Sequence, residues 1–229
     1  MKNISVSLTV LLLMFVTSQI NSQNISSEKS EILELQDRRT LGEDDKLIKY
    51  LHSSDPEIRL AALYAIANIG DSSVIGKLDL FSASYFSNYT SGEELKAAAI
   101  LLGQIPCNES IKMLNLILDK SNEFKEQKYS VISEILNAIG KTGNENDLDK
   151  ISSHILLYSG QDTALLVPAA IAVGRFALRK IKNEKSVDAL KFIVNHSKDI
   201  SALRNCAFAF WRTGDRTLLE KASEEIYTL

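Results

Sequence analysis

Apolar residues recur along most of the chain at intervals of three and four positions. Between Pro56 and Ile69 they form a single stripe, made of Ile58, Ala61, Ala62, Ala65, Ile66 and Ile69. This spacing places them on one face of an α-helix. No segment alternates apolar and polar residues with a period of two, so the pattern predicts no strands. The fold class predicted from the pattern is therefore all-α.

The stripes predict helices that come in pairs, with an additional helix near Ser27–Arg39 that covers the first pair. The first helix of each pair, called the A helix, is predicted at Asp44–His52, Ser73–Phe81, Glu109–Asp119, Asn146–Tyr158, Lys185–Asn195 and Arg216–Thr228. The second, called the B helix, is predicted at Pro56–Ile69, Glu93–Ile105, Glu123–Ile139, Asp162–Lys182 and Ile200–Arg212. The B helices are rich in Ala, which allows neighbouring helices to approach closely.

A short motif at the end of the B helix recurs along the chain. "AIANIGD" ends with Gly70 and Asp71, "AIGKTGN" contains Gly143, and "AFWRTGD" contains Gly214. The three glycines are 73 and 71 residues apart, which corresponds to two units of about 36 residues each. A period of this length is typical of an α-solenoid, in which helix pairs stack in a row.

The stretch "SDPEIRLAALYAIANIGD" has the residues that begin and end a helix. Ser54 or Asp55 is predicted to cap the N-terminus of the B helix, and Pro56 suits its first turn. Arg59 lies four residues after Asp55 and is predicted to reach back to it or to a neighbouring repeat. These residues are therefore interpreted as structural rather than catalytic.

The end of the same stretch predicts a turn between two helices. Gly70 suits the left-handed conformation that often ends a helix. Asp71 or Ser72 is predicted to cap the helix that follows. Gly143 and Gly214 stand at the corresponding positions of the later copies.

The stretch "DPEIRLAALYAIANIGDSSVIGKL" resembles a HEAT-like repeat of the short type found in phycobilisome lyases. The resemblance rests on Asp55, Ile58, Arg59, Ala62 and Gly70. It implies a right-handed α-α superhelix of about five helix pairs, in which the matching Asp and Arg link successive repeats. Later copies depart from the pattern, because "GEELKAAAILLGQI" has no Arg and Arg204 is displaced by one position.

Residues 31–71 are also similar to the N-terminal region of exported bacterial HEAT-repeat proteins. Some members of that group carry a cyclophilin-type peptidyl-prolyl isomerase domain, but this chain has no Phe-His-Arg segment and no Gly-rich β-barrel sequence. The resemblance leaves two functions open. The first is a non-catalytic scaffold that binds a protein or peptide, and the alternative is the HEAT module of an exported isomerase whose catalytic domain is absent from the chain.

The N-terminus has the pattern of an export signal. Lys2 precedes the apolar run Ile4–Val16, which is followed by the polar segment "TSQINSQ". The run has 13 residues and is too short to span a bilayer comfortably. We expect a signal peptide at residues 1–22, a capping segment at 23–42 and a repeat domain at 43–229 that is either capped by its last helix or truncated. The expected location is the periplasm or exterior of a bacterial cell, with no membrane span after cleavage.

The charge and the ionisable residues argue against several functions. The net charge is −3, which disfavours nucleic acid as a partner because phosphate binding needs a basic face. His52, His154 and His196 lack the spacing of a helical metal pair, and no nucleotide-binding or nucleophile motif occurs. The sequence predicts no catalytic residue, no cofactor and no metal; an enzyme acting on a small molecule stays the weaker alternative.

Two aromatic segments and two cysteines are the remaining candidates for functional or core residues. Tyr85, Phe86 and Tyr89 lie in a long connection, "LFSASYFSNYTS", and are candidate partner-binding residues. The competing and favoured interpretation is an extended A helix with these rings in the core. For "FAFWR", the spacing of Phe208 and Trp211 predicts core packing, and Cys107 and Cys206 are predicted to be unpaired residues in or near the core.

Overall fold

The structure is a computed structural model, and it describes residues 27–78, 91–120, 128–157 and 163–227. All regular secondary structure within these ranges is helical, as the apolar spacing predicted. The chain divides between Ile69 and Gly70 into two compact units. None of the helices in these ranges is long and apolar enough to cross a bilayer.

Over the described residues 27–69, the first unit contains three α-helices and a short 3-10 turn. Helix α1 covers residues 27–37, the 3-10 turn covers Glu43–Asp45, α2 covers Lys46–Tyr50 and α3 covers Pro56–Ile69. The predicted A helix at Asp44–His52 is shorter than expected, because Asp44 and Asp45 have φ angles of 50° and 55° that no α-helix allows. Helix α3 has the predicted bounds.

The core of the first unit is apolar and is reinforced by a polar contact. Its fully buried side chains include Ile32, Leu47, Leu51, Ile58, Leu63 and Ile66. Glu31 on α1 accepts hydrogen bonds from Lys46 and from the Tyr50 hydroxyl on α2. These bonds lower the pKa of Glu31, with Lys46 as the main cause, so the carboxylate holds α1 against α2.

Within its described residues, the second unit begins with a 3-10 helix and continues with eight α-helices, and a short 3-10 turn at Thr163–Leu165 precedes the helix that begins at Leu166. The 3-10 helix covers Ser72–Lys77, where the sequence predicted an A helix at Ser73–Phe81. The α-helices are α4 (Gly92–Gln104), α5 (Asn108–Lys120), α6 (Lys128–Thr142), α7 (Glu145–Leu157), α8 (Leu166–Leu178), α9 (Glu184–His196), α10 (Ile200–Thr213) and α11 (Arg216–Tyr227). Helix α8 ends four residues before the predicted Lys182, because Lys180 adopts a left-handed conformation with φ of 67°.

The helices of the second unit pack as A/B pairs. The A helices α5, α7 and α9 each contact the B helix that follows, namely α6, α8 and α10. The B helices also contact one another in the order α4, α6, α8 and α10, and α7 contacts α9. Helices α6 and α8 therefore each contact two B helices as well as the A helix that precedes them, whereas α4 and α10 lie at the ends of this series.

Glycine and alanine permit the close contacts between successive B helices. A Cβ atom on Gly103 of α4 would lie 2.8 Å from the Cβ of Ala138 on α6. A Cβ on Gly140 of α6 would lie 2.8 Å from the Cα of Ala172 on α8. Contacts this short do not occur between real side chains and backbone, so both positions require glycine at the present helix separation.

Candidate functional site

The acidic and basic residues of "SDPEIR" form a helix start. The Asp55 carboxylate accepts a hydrogen bond of 2.8 Å from the backbone N–H of Glu57, which makes Asp55 the cap of α3. Arg59 is only 5% exposed, and its Nη1 donates to the carbonyl oxygens of Ser53 and Ser54 at 2.8 and 3.2 Å. The guanidinium thus ties the helix to the loop that precedes it, through Ser53 and Ser54, where the sequence had predicted a contact with Asp55 or with a neighbouring repeat.

The glycine turn after α3 has the predicted geometry. Gly70 has a φ of 69°, which is the left-handed conformation. The Asp71 carboxylate accepts a hydrogen bond of 2.9 Å from the backbone N–H of Ser73 and caps the 3-10 helix. This bond is the main cause of the lowered pKa of Asp71.

The two later copies of the glycine turn differ from each other. Gly214 has a φ of 78° and open space around it, so it ends α10 in the same way that Gly70 ends α3. Gly143 does not have a positive φ. A Cβ on Gly143 would instead lie 2.7 Å from the carbonyl oxygen of Ile139 and 2.9 Å from the ring of Phe176. Close packing is therefore the reason for glycine at this copy.

A group of buried hydrogen bonds between helix pairs, near Gly143, was not predicted from the sequence. Asp147 is 7% exposed and accepts hydrogen bonds from the backbone N–H of Asn144 at 2.8 Å and from Nδ2 of Asn115 at 3.0 Å. Arg179 donates from Nη2 to the carbonyl oxygen of Gly140 at 3.1 Å. Burial lowers the pKa of Arg179, and the charge of Asp147 opposes this effect. The bonds connect neighbouring helix pairs, so the cluster is structural.

The predicted partner-binding residues Tyr85, Phe86 and Tyr89 lie outside the described residues. Phe208 and Trp211 are described, and the prediction that they pack in the core is wrong. Their side chains are 47% and 61% exposed, with ring centroids 5.8 Å apart. The inward face of α10 is taken by a different stripe, which consists of Ala202, Leu203, Cys206, Ala209 and Phe210.

The exposed aromatic rings border a groove between α8 and α10. The groove has a volume of about 250 Å³. Helix α8 lines it with Ala170, Ile171, Gly174, Arg175 and Leu178, and α10 lines it with Asn205, Phe208 and Arg212. We call it the α8–α10 groove.

Two arginines in the α8–α10 groove have nitrogen atoms without hydrogen-bond partners. In the described part of the chain, Nε of Arg175 and both Nε and Nη1 of Arg212 are buried and unbonded. The guanidinium of Arg212 lies over the Phe208 ring, 4.0 Å from its centroid. Leu178, at the groove's edge, is 58% exposed. The groove therefore combines unused donors with exposed apolar surface.

The described residues contain no group of three or more His, Cys, Asp or Glu side chains placed to hold a metal ion. Both cysteines are free; Cys206 is buried, and burial raises the pKa of its thiol, so the reactive thiolate is disfavoured.

No family model matches the chain, and the searches of curated proteins and of solved structures found no significant match.

Proposed function

We propose that the chain is a non-catalytic scaffold that binds a protein or a peptide on the exposed face of its B helices. The observation that carries this proposal is the α8–α10 groove. Phe208, Trp211 and Arg212 lie together at its edge and belong to the residue types that dominate binding energy at protein interfaces. Large apolar side chains that stay exposed together commonly mark an interaction surface.

The proposed architecture is an α-solenoid of about five HEAT-like helix pairs with a right-handed superhelix. Two features support it. Successive B helices of the second unit contact one another in chain order, and the contacts at Gly103 and Gly140 place glycine against alanine on successive B helices. A stack of this kind presents an extended surface to a partner.

Photo-crosslinking tests the proposed binding surface. Benzoylphenylalanine is placed at Phe208 in the full chain, and in a matched variant at Lys185, which is exposed on the A helix α9. Both variants are produced in the organism of origin and irradiated. We expect a protein or peptide crosslinked through position 208 and none through position 185. Equal crosslinking from both positions, or none from either, contradicts the proposal.

We also propose that the protein is exported, with a signal peptide at residues 1–22 that is removed. The support is the order of Lys2, the apolar run Ile4–Val16 and the polar segment that follows it. N-terminal sequencing of the protein from its native cells should find Gln23 as the first residue, in the periplasmic or extracellular fraction. An N-terminus at Met1 in the cytoplasmic fraction overturns this proposal.

A further inference from the structure

The walls of the α8–α10 groove carry positive charge without a compensating acid. Helices α8 and α10 contain Arg175, Arg204 and Arg212 and no Asp or Glu. Two of these arginines line the groove, and no carboxylate is among its lining residues. The chain as a whole has a net charge of −3, so the charge of the groove is opposite to the net charge of the protein.

Some N–H groups of the two guanidinium groups in the groove have no hydrogen-bond partner. Nε of Arg175 and Nε and Nη1 of Arg212 are buried without a partner within the described residues. A buried polar group without a partner is unfavourable, because it has lost its hydrogen bonds to water and gained none within the protein. A carboxylate is the acceptor that suits a guanidinium best, because it can accept two parallel hydrogen bonds and carries the opposite charge. The free groove therefore favours an anionic occupant over a neutral one.

The rest of the groove is apolar and small. Ile171, Leu178 and Phe208 provide hydrophobic surface, and Trp211 extends it along α10 through its contact with Phe208. The volume of about 250 Å³ is below that of sites for drug-sized ligands, which begin at about 300 Å³. A groove of this size suits one or two side chains of a peptide better than a whole small molecule.

We propose that the α8–α10 groove binds a peptide segment in which a carboxylate adjoins an aromatic or aliphatic side chain. The apolar side chain lies against Leu178 and Phe208, and the carboxylate accepts hydrogen bonds from Arg175 and Arg212. This inference rests on the proposed function, and it specifies the chemistry of the partner. The carboxylate is that of a Glu or Asp side chain next to the apolar residue, and a peptide C-terminus is an alternative that the test excludes or reveals.

A single-stranded nucleic acid is the other occupant that arginines beside aromatic rings could suggest. The charge disfavours it, because such strands follow a track of many cations and this groove is lined by two in a net negative chain. The peptide is therefore the occupant that the observations favour, and the oligonucleotide serves as a competing probe.

Fluorescence anisotropy with purified protein tests the proposal. Four labelled peptides of one length are compared: Glu beside Phe with an amidated C-terminus, the same peptide with Gln, the same peptide with Lys, and a peptide without Glu that ends in Phe with a free carboxylate. A fifth probe is a labelled oligothymidine. We expect the Glu peptide to bind at least about tenfold more tightly than the Gln, Lys and free-carboxylate peptides. Tightest binding of the free-carboxylate peptide overturns the assignment of a Glu or Asp side chain to the groove.

Substitutions test whether the peptide binds in the groove and whether the charge preference of the groove can be reversed. Arg212→Gln and Arg175→Gln should each weaken binding of the acidic peptide about tenfold, whereas Lys185→Gln, the same charge change on α9, should leave it within about twofold. Arg212→Glu should abolish binding of the Glu peptide and create binding of the Lys peptide. The charge swap keeps the test informative even if one variant is less stable, because a gain of binding requires a folded groove.

Equal affinity for the Glu and Gln peptides, or tightest binding of the oligothymidine, overturns the inference. An equal effect of Arg212→Gln and Lys185→Gln also overturns it, because long-range charge would then explain the result. Crosslinking through position 208 together with no preference for the acidic peptides refutes this inference and leaves the proposed scaffold function standing. Carboxylate-dependent peptide binding without any crosslink supports the chemistry assigned to the groove and contradicts the proposal that a protein or peptide occupies it in the native cell.

Discussion

Helices α3 and α10 begin and end alike, but each carries an arginine in a different environment, Arg59 in the first turn of α3 and Arg212 in the last turn of α10. Each starts with a capping Asp, at position 55 or 199, and ends fifteen residues later with a left-handed Gly, at position 70 or 214. In α3, Arg59 is buried and bonded to two loop carbonyls. In α10, Arg212 lies over an exposed ring with two unbonded nitrogens. Two helices with the same kind of ends thus carry arginines in different environments, because Arg59 bonds to the loop before its helix and Arg212 has donors without a partner among the described residues.

The largest expected effect concerns the middle copy of the turn, where Gly143 replaces the left-handed glycine. Gly143→Ala should destabilise the protein by about 3 kcal/mol, because its Cβ would meet a carbonyl oxygen and the Phe176 ring. Gly214→Ala should cost only about 1 kcal/mol, since the strain of a left-handed alanine is the sole penalty in open space. Urea denaturation of both variants measures the difference. Equal losses would mean that all copies of the turn use glycine for one reason.

The second prediction compares the two arginines directly. Arg59→Ala should lower the free energy of unfolding by about 2 kcal/mol, because it removes charged hydrogen bonds from a buried site. Arg212→Ala should change it by less than about 1 kcal/mol, because loss of the contact with Phe208 is offset by removal of unbonded buried donors.

Chemical denaturation of the two alanine variants under one set of conditions checks this contrast. Arg204→Ala, an exposed arginine of α10, serves as the control for removal of a surface charge. If Arg212→Ala is as destabilising as Arg59→Ala, then Arg212 is a structural residue and the α8–α10 groove loses its main donor for a partner.

The third prediction concerns the capping Asp that begins both α3 and α10. Asp55→Ala and Asp199→Ala should each cost about 1 kcal/mol, because each removes the acceptor for unpaired backbone N–H groups at a helix start. Asp→Asn at the same positions should be nearly neutral, since Asn caps equally well. Thermal denaturation of the four variants is the measurement. A large difference between the two alanine variants would show that the caps are not equivalent.

The helix ends could be predicted from the sequence because they depend on local chemistry. An Asp before the first turn and a Gly after the last one predicted the bounds of α3, and those of α10 to within one residue. The end of α8 could not be predicted in this way. Lys180 takes the left-handed position there, and the N–H of Ile181 bonds to the carbonyl of Phe176 as in a glycine-ended helix.

The α8–α10 groove could not be predicted because two apolar stripes compete on α10. Phe208 and Trp211 do share a face, as their spacing indicated, but Cys206 and Phe210 belong to the other stripe. The stripe that becomes buried is the one that faces α8, where Ala209 lies beside Gly174. That choice depends on contact between helices about thirty-five residues apart, and no local periodicity reports it.

The smallest expected effect tests the turn after α3 by acidification. The hydrogen bond from the Ser73 backbone N–H lowers the pKa of Asp71 in the folded chain below its ordinary value of 3.8. The folded state therefore holds this carboxylate ionised more readily than the unfolded state does, and the resulting stabilisation is present above about pH 4 and is lost as the pH falls below the folded pKa. Asp71→Asn should match the wild type at pH 7, because Asn also caps, and should lose slightly less melting temperature between pH 5 and pH 3. An identical acid dependence in the two proteins would show that the ionisation of Asp71 adds nothing to the stability that its capping bond gives this turn.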